Sequence, residues 1–149
     1  MVIELNKLKA SGKEESPFSF GFTPDKEMLG LPNSRFSDTA RIEGVCEVYP
    51  DKAFLSGKLT FTIEGECSRC LSPAKKTVEV EFDEEFRPAP CSDENVNVYY
   101  KNVLDVGALA SQLILTNLPY VIYCKDDCKG LCPTCGKNLN EGECGHNKN

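Results

Sequence analysis

The C-terminal segment of the chain, residues 124–149, is rich in cysteine and poor in apolar side chains. It contains five of the nine cysteines and the only histidine, and its only large apolar residues are Leu131 and Leu139. A segment of this composition cannot build a hydrophobic core, so something other than apolar burial must order it. Bound metal is the expected agent, because metal binding supplies folding free energy.

Within this segment, Cys132-Pro-Thr-Cys135-Gly has the form of a zinc knuckle. Two thiolates separated by two residues can reach one ion, and the following glycine lets the backbone turn beneath the sulfurs. Tetrahedral Zn²⁺ needs two further ligands, and the remaining donors form two candidate pairs. The six candidate metal ligands are therefore Cys124, Cys128, Cys132, Cys135, Cys144 and His146. If one ion is bound, six donors compete for four places, and the spacing does not choose among them.

A second Cys-x-x-Cys pair, Cys67-Ser-Arg-Cys70, follows a predicted strand. It has three interpretations: a metal site completed by ligands from elsewhere, a redox dithiol, or a turn whose thiols are only structural. A thioredoxin-like motif lies at a helix start in a βαβ setting, which disfavours the redox interpretation. Cys46 lies in a strand pattern and is expected to be a buried small hydrophobe, whereas Cys91 has no partner at useful spacing.

Residues 1–123 are predicted to form an α+β domain dominated by antiparallel strands, with one main helix. Apolar residues alternate with polar ones in several segments, which is the spacing of strands with one buried face. These alternating sets are Phe18, Phe20 and Phe22; Ile42, Cys46 and Val48; Leu55, Leu59, Phe61 and Ile63; and Val78, Val80 and Phe82. A short strand is expected at 96–100, and residues 1–40, with an opening strand at Val2, Ile3 and Leu5, are expected to pack on the rest.

The predicted helix follows residue 105. Apolar residues recur at three- and four-residue spacing, Asp105 is a suitable N-cap, and Pro119 limits the far end. The apolar positions are Val106, Leu109, Ala110, Leu113 and Ile114. The chain is thus divided into a domain of residues 1–123 and a zinc-ribbon-like tail of residues 124–149.

The chain carries 17 Lys+Arg against 23 Asp+Glu, a formal charge of −6. This acidity excludes a broadly basic protein that coats nucleic acid, so any RNA contact must be local or indirect. The one basic island lies between Cys67 and Thr77, and further lysines lie among the tail cysteines. The candidate RNA or protein contacts are Arg69, Lys75, Lys76, Lys129 and Lys137; solvated surface charge is the plainer interpretation.

No apolar run suggests a signal peptide or a membrane span, so a cytoplasmic protein without a membrane partner is expected. No Ser-His-Asp arrangement and no phosphate-binding glycine loop is present, so neither catalysis nor a small-molecule substrate is expected. The residues alone leave two functions open: a redox or iron–sulfur protein that uses the same cysteines, and a zinc-stapled protein-interaction adaptor.

Four segments of the chain carry a family resemblance. They are the strand leading into Glu66-Cys-Ser-Arg-Cys-Leu71, the acidic strand ending Phe82-Asp-Glu-Glu-Phe86, the helix running into Leu118-Pro119, and Cys128-Lys-Gly-Leu-Cys-Pro-Thr-Cys-Gly-Lys-Asn-Leu-Asn140. Together these segments resemble the YceD family. The resemblance extends from about Arg41 to His146. It implies a small, non-enzymatic bacterial protein that supports accumulation of large-subunit ribosomal RNA. Related tails commonly end in Cys-x-Cys, whereas this one has Cys144-Gly-His146, and zinc accepts either donor.

Overall fold

Two β-sheets and one main helix form most of the regular structure in the described residues. The structure is a computed structural model and describes residues 1–12 and 14–145. Along the chain the elements are β1 (Val2–Glu4), α1 (Leu5–Ala10), β2 (Glu15–Phe22), a 3₁₀ turn (Lys26–Met28), β3 (Arg35–Val48), β4 (Ala53–Glu66), β5 (Pro73–Pro88), β6 (Asn97–Tyr99), β7 (Val103–Asp105) and α2 (Val106–Asn117). The predicted α+β class, with one main helix and a C-terminal cysteine-rich segment, is confirmed.

The larger sheet has the strand order β2-β3-β4-β5-β6. β2 pairs antiparallel with β3, and β6 pairs parallel with β5. The connections from β3 to β4 and from β4 to β5 are too short for a parallel crossover, which needs a dozen residues or more, so these neighbours run antiparallel. The predicted alternation in β4 is confirmed, since Leu55, Leu59, Phe61 and Ile63 are all buried.

The helix α2 forms where the apolar spacing predicted it. Its five predicted apolar positions are buried. The Asp105 carboxylate accepts a hydrogen bond from the Ala108 backbone N–H at 2.9 Å, which confirms the predicted N-cap. The helix ends at Asn117, two residues before Pro119. No helix among the described residues is long and apolar enough to cross a membrane.

The first residues of the chain have a role that the sequence did not indicate. β1 pairs antiparallel with β7, and the Met1 carbonyl accepts hydrogen bonds from the N–H groups of Val106 and Gly107 at 3.0 and 3.1 Å. These donors belong to the first turn of α2, where no carbonyl of the helix itself is available. The predicted opening strand is shorter than expected, because Leu5 begins α1 and is fully buried.

Two compact units are present. The first contains Met1–Pro24, Thr39–Phe61 and Val78–Asn117. The second contains Asp25–Asp38, Thr62–Thr77 and the chain from Leu118 onward, so it holds all the cysteines of both predicted clusters. The predicted division of the chain at Cys124 stays a prediction.

The two cysteines outside the clusters differ in exposure, which leads to a test. Cys46 is 1% exposed, and burial, with the neighbouring Glu47 carboxylate, raises its pKa to about 11. The reactive thiolate is therefore scarce at pH 8, whereas Cys91 is partly exposed. We expect iodoacetamide to alkylate Cys91 in the native protein and Cys46 only after denaturation, as peptide mass mapping would show. Rapid native labelling of Cys46 would contradict the burial.

Candidate metal centre

Four cysteines from two distant stretches of sequence meet in the second unit. Cys67 and Cys70 lie in the connection between β4 and β5, and Cys124 and Cys128 lie beyond α2. The four sulfur atoms are all within 4.8 Å of one another. We call Cys67, Cys70, Cys124 and Cys128 the quartet. All four are free thiols.

The spacing of the quartet fits a tetrahedral metal ion. The Cys67 Sγ to Cys128 Sγ distance is 3.6 Å, and the Cys70 Sγ to Cys124 Sγ distance is 3.5 Å. Four sulfurs at the usual zinc–sulfur distance of about 2.3 Å would be about 3.8 Å apart along each tetrahedral edge. The quartet can therefore hold a metal ion with only small shifts of its side chains.

The first half of the quartet is held by a tight turn. The Cys67 N–H donates to the Ser72 carbonyl at 2.7 Å, and the Leu71 N–H donates to the Cys67 carbonyl at 2.9 Å. Leu71 adopts a φ of +63°, the left-handed region in which glycine is preferred. The Cys67 and Cys70 sulfurs at this turn lie within 4.8 Å of each other, close enough to share one ion as in a zinc knuckle.

The second half of the quartet is attached to this turn by backbone and side-chain contacts. The Ser68 N–H donates to the Ile122 carbonyl at 2.8 Å, and the Ile122 N–H donates to Ser68 Oγ at 3.3 Å. The Arg69 guanidinium donates to the Cys128 carbonyl at 3.1 Å and lies over the Tyr123 ring at 4.3 Å. These contacts bring Cys124 and Cys128 to the first pair.

The electrostatics of the quartet favour a bound cation. Burial opposes ionisation of Cys67, but hydrogen bonds from the backbone N–H groups of Cys70 and Arg69 outweigh it and lower the pKa of Cys67 to about 6. Hydrogen bonds from the hydroxyl and N–H of Ser72 lower the pKa of Cys70. Burial, followed by its sulfur contact with Cys70, raises the pKa of Cys124. Without a cation, the thiolates of Cys67 and Cys70 are therefore favoured while that of Cys124 is disfavoured. A divalent ion would stabilise all four thiolates together.

The other tail cysteines form a separate group. Cys132, Cys135 and Cys144, which we call the trio, have sulfur atoms within 4.8 Å of one another. Hydrogen bonds from the N–H groups of Cys135 and Thr134 lower the pKa of Cys132 to about 6. The sixth tail candidate, His146, lies outside the described residues. The structure thus brings Cys124 and Cys128 to Cys67 and Cys70, and Cys144 to the knuckle at Cys132.

The predicted contact residues have different surroundings. Arg69 donates a hydrogen bond to the Cys128 carbonyl and makes a cation–π contact with Tyr123. Lys75 forms an ion pair with Glu64 at 3.6 Å. The Lys137 ammonium donates to the Glu143 carbonyl at 3.2 Å. Lys76 and Lys129 are exposed. Arg69 and Lys137 therefore have structural contacts within the second unit, which their charge alone did not indicate.

Leu71 provides a test of the turn at the quartet. The corresponding position of the knuckle at Cys132 is Gly136, with a φ of +76°, whereas Leu71 is 58% exposed. A β-carbon in the left-handed region costs about 1–2 kcal/mol, so replacing Leu71 by glycine relieves this strain. Part of the gain in stability is offset, because glycine gives the unfolded chain more conformational entropy. We expect Leu71→Gly to raise the free energy of unfolding by about 1 kcal/mol in urea titrations of the metal-loaded protein. Leu71→Val should lower it, and destabilisation by both substitutions would contradict the strain.

The fold and the two cysteine groups define a small α+β protein whose cysteines form two clusters that could hold metal. Residues 55–149 match the sequence model described as large ribosomal RNA subunit accumulation protein YceD. The chain belongs to this family. The match begins at Leu55, later than the Arg41 expected from the resemblance, and the description of the family names no catalytic activity.

Its relatives include mycobacterial proteins. Uncharacterized proteins of Mycobacterium bovis and Mycobacterium tuberculosis are 33% identical over 127 residues, which cover 80% of this chain and 59% of the relative. One from Mycobacterium leprae is 26% identical over 105 residues, covering 66% of this chain and 46% of the relative. The chain thus spans less than two thirds of the length of these relatives. No solved structure matches the chain significantly.

Proposed function

We propose that this protein is a non-enzymatic ribosome biogenesis factor that supports accumulation of large-subunit ribosomal RNA and is stabilised by zinc in the quartet. The observation that carries the proposal is the family match over residues 55–149, which includes both cysteine groups. The proposed site of action is the bacterial cytoplasm, and the proposed role is in binding rather than catalysis.

Zinc is the proposed metal because four thiolates grouped closely enough for one tetrahedral ion are typical of structural zinc sites, and three of the four, Cys67, Cys70 and Cys128, are buried. Iron can occupy the same four sulfurs, and an iron–sulfur or redox protein is the alternative. Metal analysis and the visible spectrum of protein purified without added metal separate the two. Colourless protein with about one zinc per quartet supports the proposal, whereas a visible charge-transfer band with bound iron supports the alternative.

The proposed partner is large-subunit ribosomal RNA or a protein that assembles on it. Among the candidate cations, Lys76 and Lys129 carry the proposed RNA contact, since both are exposed. The other three candidates contact neighbouring groups of the protein: Arg69, Lys75 and Lys137. A lysine that contacts phosphate contributes to binding through counterion release, so its loss flattens the salt dependence. We therefore expect Lys76→Glu to weaken binding to a large-subunit RNA fragment and reduce the salt slope by about 1, while Lys9→Glu in the first unit changes neither. Equal effects of both variants, or a flat salt dependence of the native protein, would argue for a protein partner.

Depletion in the source bacterium tests the function itself. We expect the ratio of large-subunit to small-subunit ribosomal RNA to fall and free large subunits to decline in sucrose gradients. Re-expression of the native chain should restore both. Normal ratios and normal subunit profiles after depletion would reject the biogenesis role. The adaptor alternative would then be favoured if affinity capture of the protein recovered no ribosomal component.

A further inference from the structure

We propose that the trio holds a second metal ion, separate from the ion of the quartet, so that the intact protein binds two. The ligand class is a divalent ion that prefers thiolates, such as zinc or cadmium. This inference concerns the metal chemistry of the tail and does not depend on a role in ribosome assembly.

The quartet cannot use the sulfurs of the trio. A structural zinc ion takes four ligands, and Cys67, Cys70, Cys124 and Cys128 supply four sulfurs that all lie within 4.8 Å of one another. The three sulfurs of the trio also lie within 4.8 Å of one another and form a group separate from the quartet. Cys128 and Cys132 belong to different groups although only three residues lie between them. One ion therefore cannot account for both sets of thiols.

The trio is built on the same turn as the quartet. The Cys132 N–H donates to the Lys137 carbonyl at 2.8 Å, and the Gly136 N–H donates to the Cys132 carbonyl at 2.9 Å. The turn at Cys67 has the same two bonds at the same spacing, 2.7 Å to Ser72 and 2.9 Å from Leu71. Two turns with one hydrogen-bond pattern present their paired thiols in the same way, so the turn at Cys132 is equally suited to a metal.

The third sulfur of the trio is brought back to this turn by the chain that follows it. Leu131 and Asn138 form an antiparallel bridge, and the Leu139 N–H donates to the Gly130 carbonyl at 2.9 Å. The Lys137 ammonium donates a hydrogen bond to the carbonyl of Glu143, the residue before Cys144, and so keeps Cys144 close to the turn. In residues 130–144, all of which the structure describes, the only buried hydrophobic residues are Cys132 and Leu139. This is too little apolar surface to order the segment without another source of free energy.

Disulfide formation is a weaker explanation of the same grouping. Cys132 and Cys135, the two cysteines of the knuckle, are free thiols. Three thiols cannot pair completely among themselves, whereas one ion can bind all three and take a further donor.

The two ions should differ in their rates of exchange. Three of the four sulfurs of the quartet belong to buried residues, since Cys67, Cys70 and Cys128 are 0%, 5% and 5% exposed, and only Cys124 is exposed. In the trio, Cys135 is exposed and Cys144 is partly exposed, and only Cys132 is buried. Since a chelator must reach the ion or its ligands, the trio should release its ion first.

The test uses the full chain, loaded with zinc and freed of excess metal. We expect about two zinc ions per chain in the native protein and in Cys91→Ser, the matched control, and about one in the double variant Cys135→Ser/Cys144→Ser. A chelator should remove zinc from the native protein in two phases, and the double variant should lack the faster phase.

Cadmium-113 NMR keeps the result interpretable if the double variant is partly unfolded. The native cadmium-loaded protein should give two resonances, and the double variant should retain the resonance of the quartet and lose the other. One ion in the native protein would overturn the proposal, and so would two ions in the double variant. Loss of both resonances together would show a single joint cluster and would also overturn it. Each outcome leaves the ribosomal RNA measurements unaffected, so the two proposals can fail separately.

Discussion

Replacing both Cys70 and Cys128 by serine is expected to remove the proposed ion of the quartet and to unfold residues 118–128, the stretch between α2 and the trio. The two substitutions take one sulfur from the turn at Cys67 and one from the tail. Structural zinc in small thiolate sites contributes about 10–16 kcal/mol of apparent binding free energy, comparable with the total stability of a typical domain. The hydrophobic cluster around the quartet consists largely of the cysteines themselves, with Ala74 and Ile122, so it cannot replace that contribution.

Hydrogen exchange locates the expected change. The Ser68 N–H, bonded to the Ile122 carbonyl at 2.8 Å, should lose its protection in the double variant. The Ala108 N–H at the start of α2 should keep its protection, because Asp105 and the first unit hold it. Cys91→Ser, which changes a cysteine outside both groups, should leave both amides protected. Full protection of the Ser68 N–H in a metal-free double variant would show that the segment is ordered without the quartet.

Much of the fold could be predicted because it depends on local periodicity. The alternation at Leu55, Leu59 and Phe61 requires a strand with one buried face, and the recurrence of apolar residues after Asp105 requires a helix. The N-cap and the limit at Pro119 are also local signals, and the structure confirms both. In such segments, the residues that predict a strand or helix lie within that same strand or helix, so no information about distant residues is needed.

The pairing of the cysteines could not be predicted from spacing, because it depends on contacts between distant residues. Cys67 and Cys128 are 61 positions apart, and Cys70 and Cys124 are 54 positions apart. Cys-x-x-Cys spacing identifies two sulfurs that can share an ion and gives no information about the other two. A partial signal was present in Arg69 and Tyr123, a cation and an aromatic ring that flank cysteines of both stretches. Likewise, only the fold shows that Met1 caps α2.

A second large effect is expected from Gly44→Ala in β3. A β-carbon at residue 44 would overlap the Ser56 carbonyl oxygen and lie 2.7 Å from Gly57 Cα. Both obstacles are backbone atoms of β4, so no side-chain rotation can relieve them. Separating the strands at this point would weaken their hydrogen bonds near the buried Leu55 and Leu59. We expect the free energy of unfolding to fall by about 3 kcal/mol or more, measured by urea titration.

The sign of this change makes the test decisive. In a strand without close contacts, replacing glycine by alanine stabilises a protein by about 0.5–1 kcal/mol, because alanine loses less backbone entropy on folding. Gly30→Ala is the matched control: its β-carbon would meet no atom within 4 Å, so this variant should be neutral or slightly stabilised. Gly57→Ala should be destabilised as strongly as Gly44→Ala, because its β-carbon would lie 2.6 Å from Gly44 Cα. If Gly44→Ala were as stable as Gly30→Ala, β3 and β4 could not approach each other as closely as the structure places them. If the free energy of unfolding fell in Gly44→Ala and Gly57→Ala but not in Gly30→Ala, the close approach of β3 and β4 would depend on these two glycines rather than on the apolar pattern of the strands.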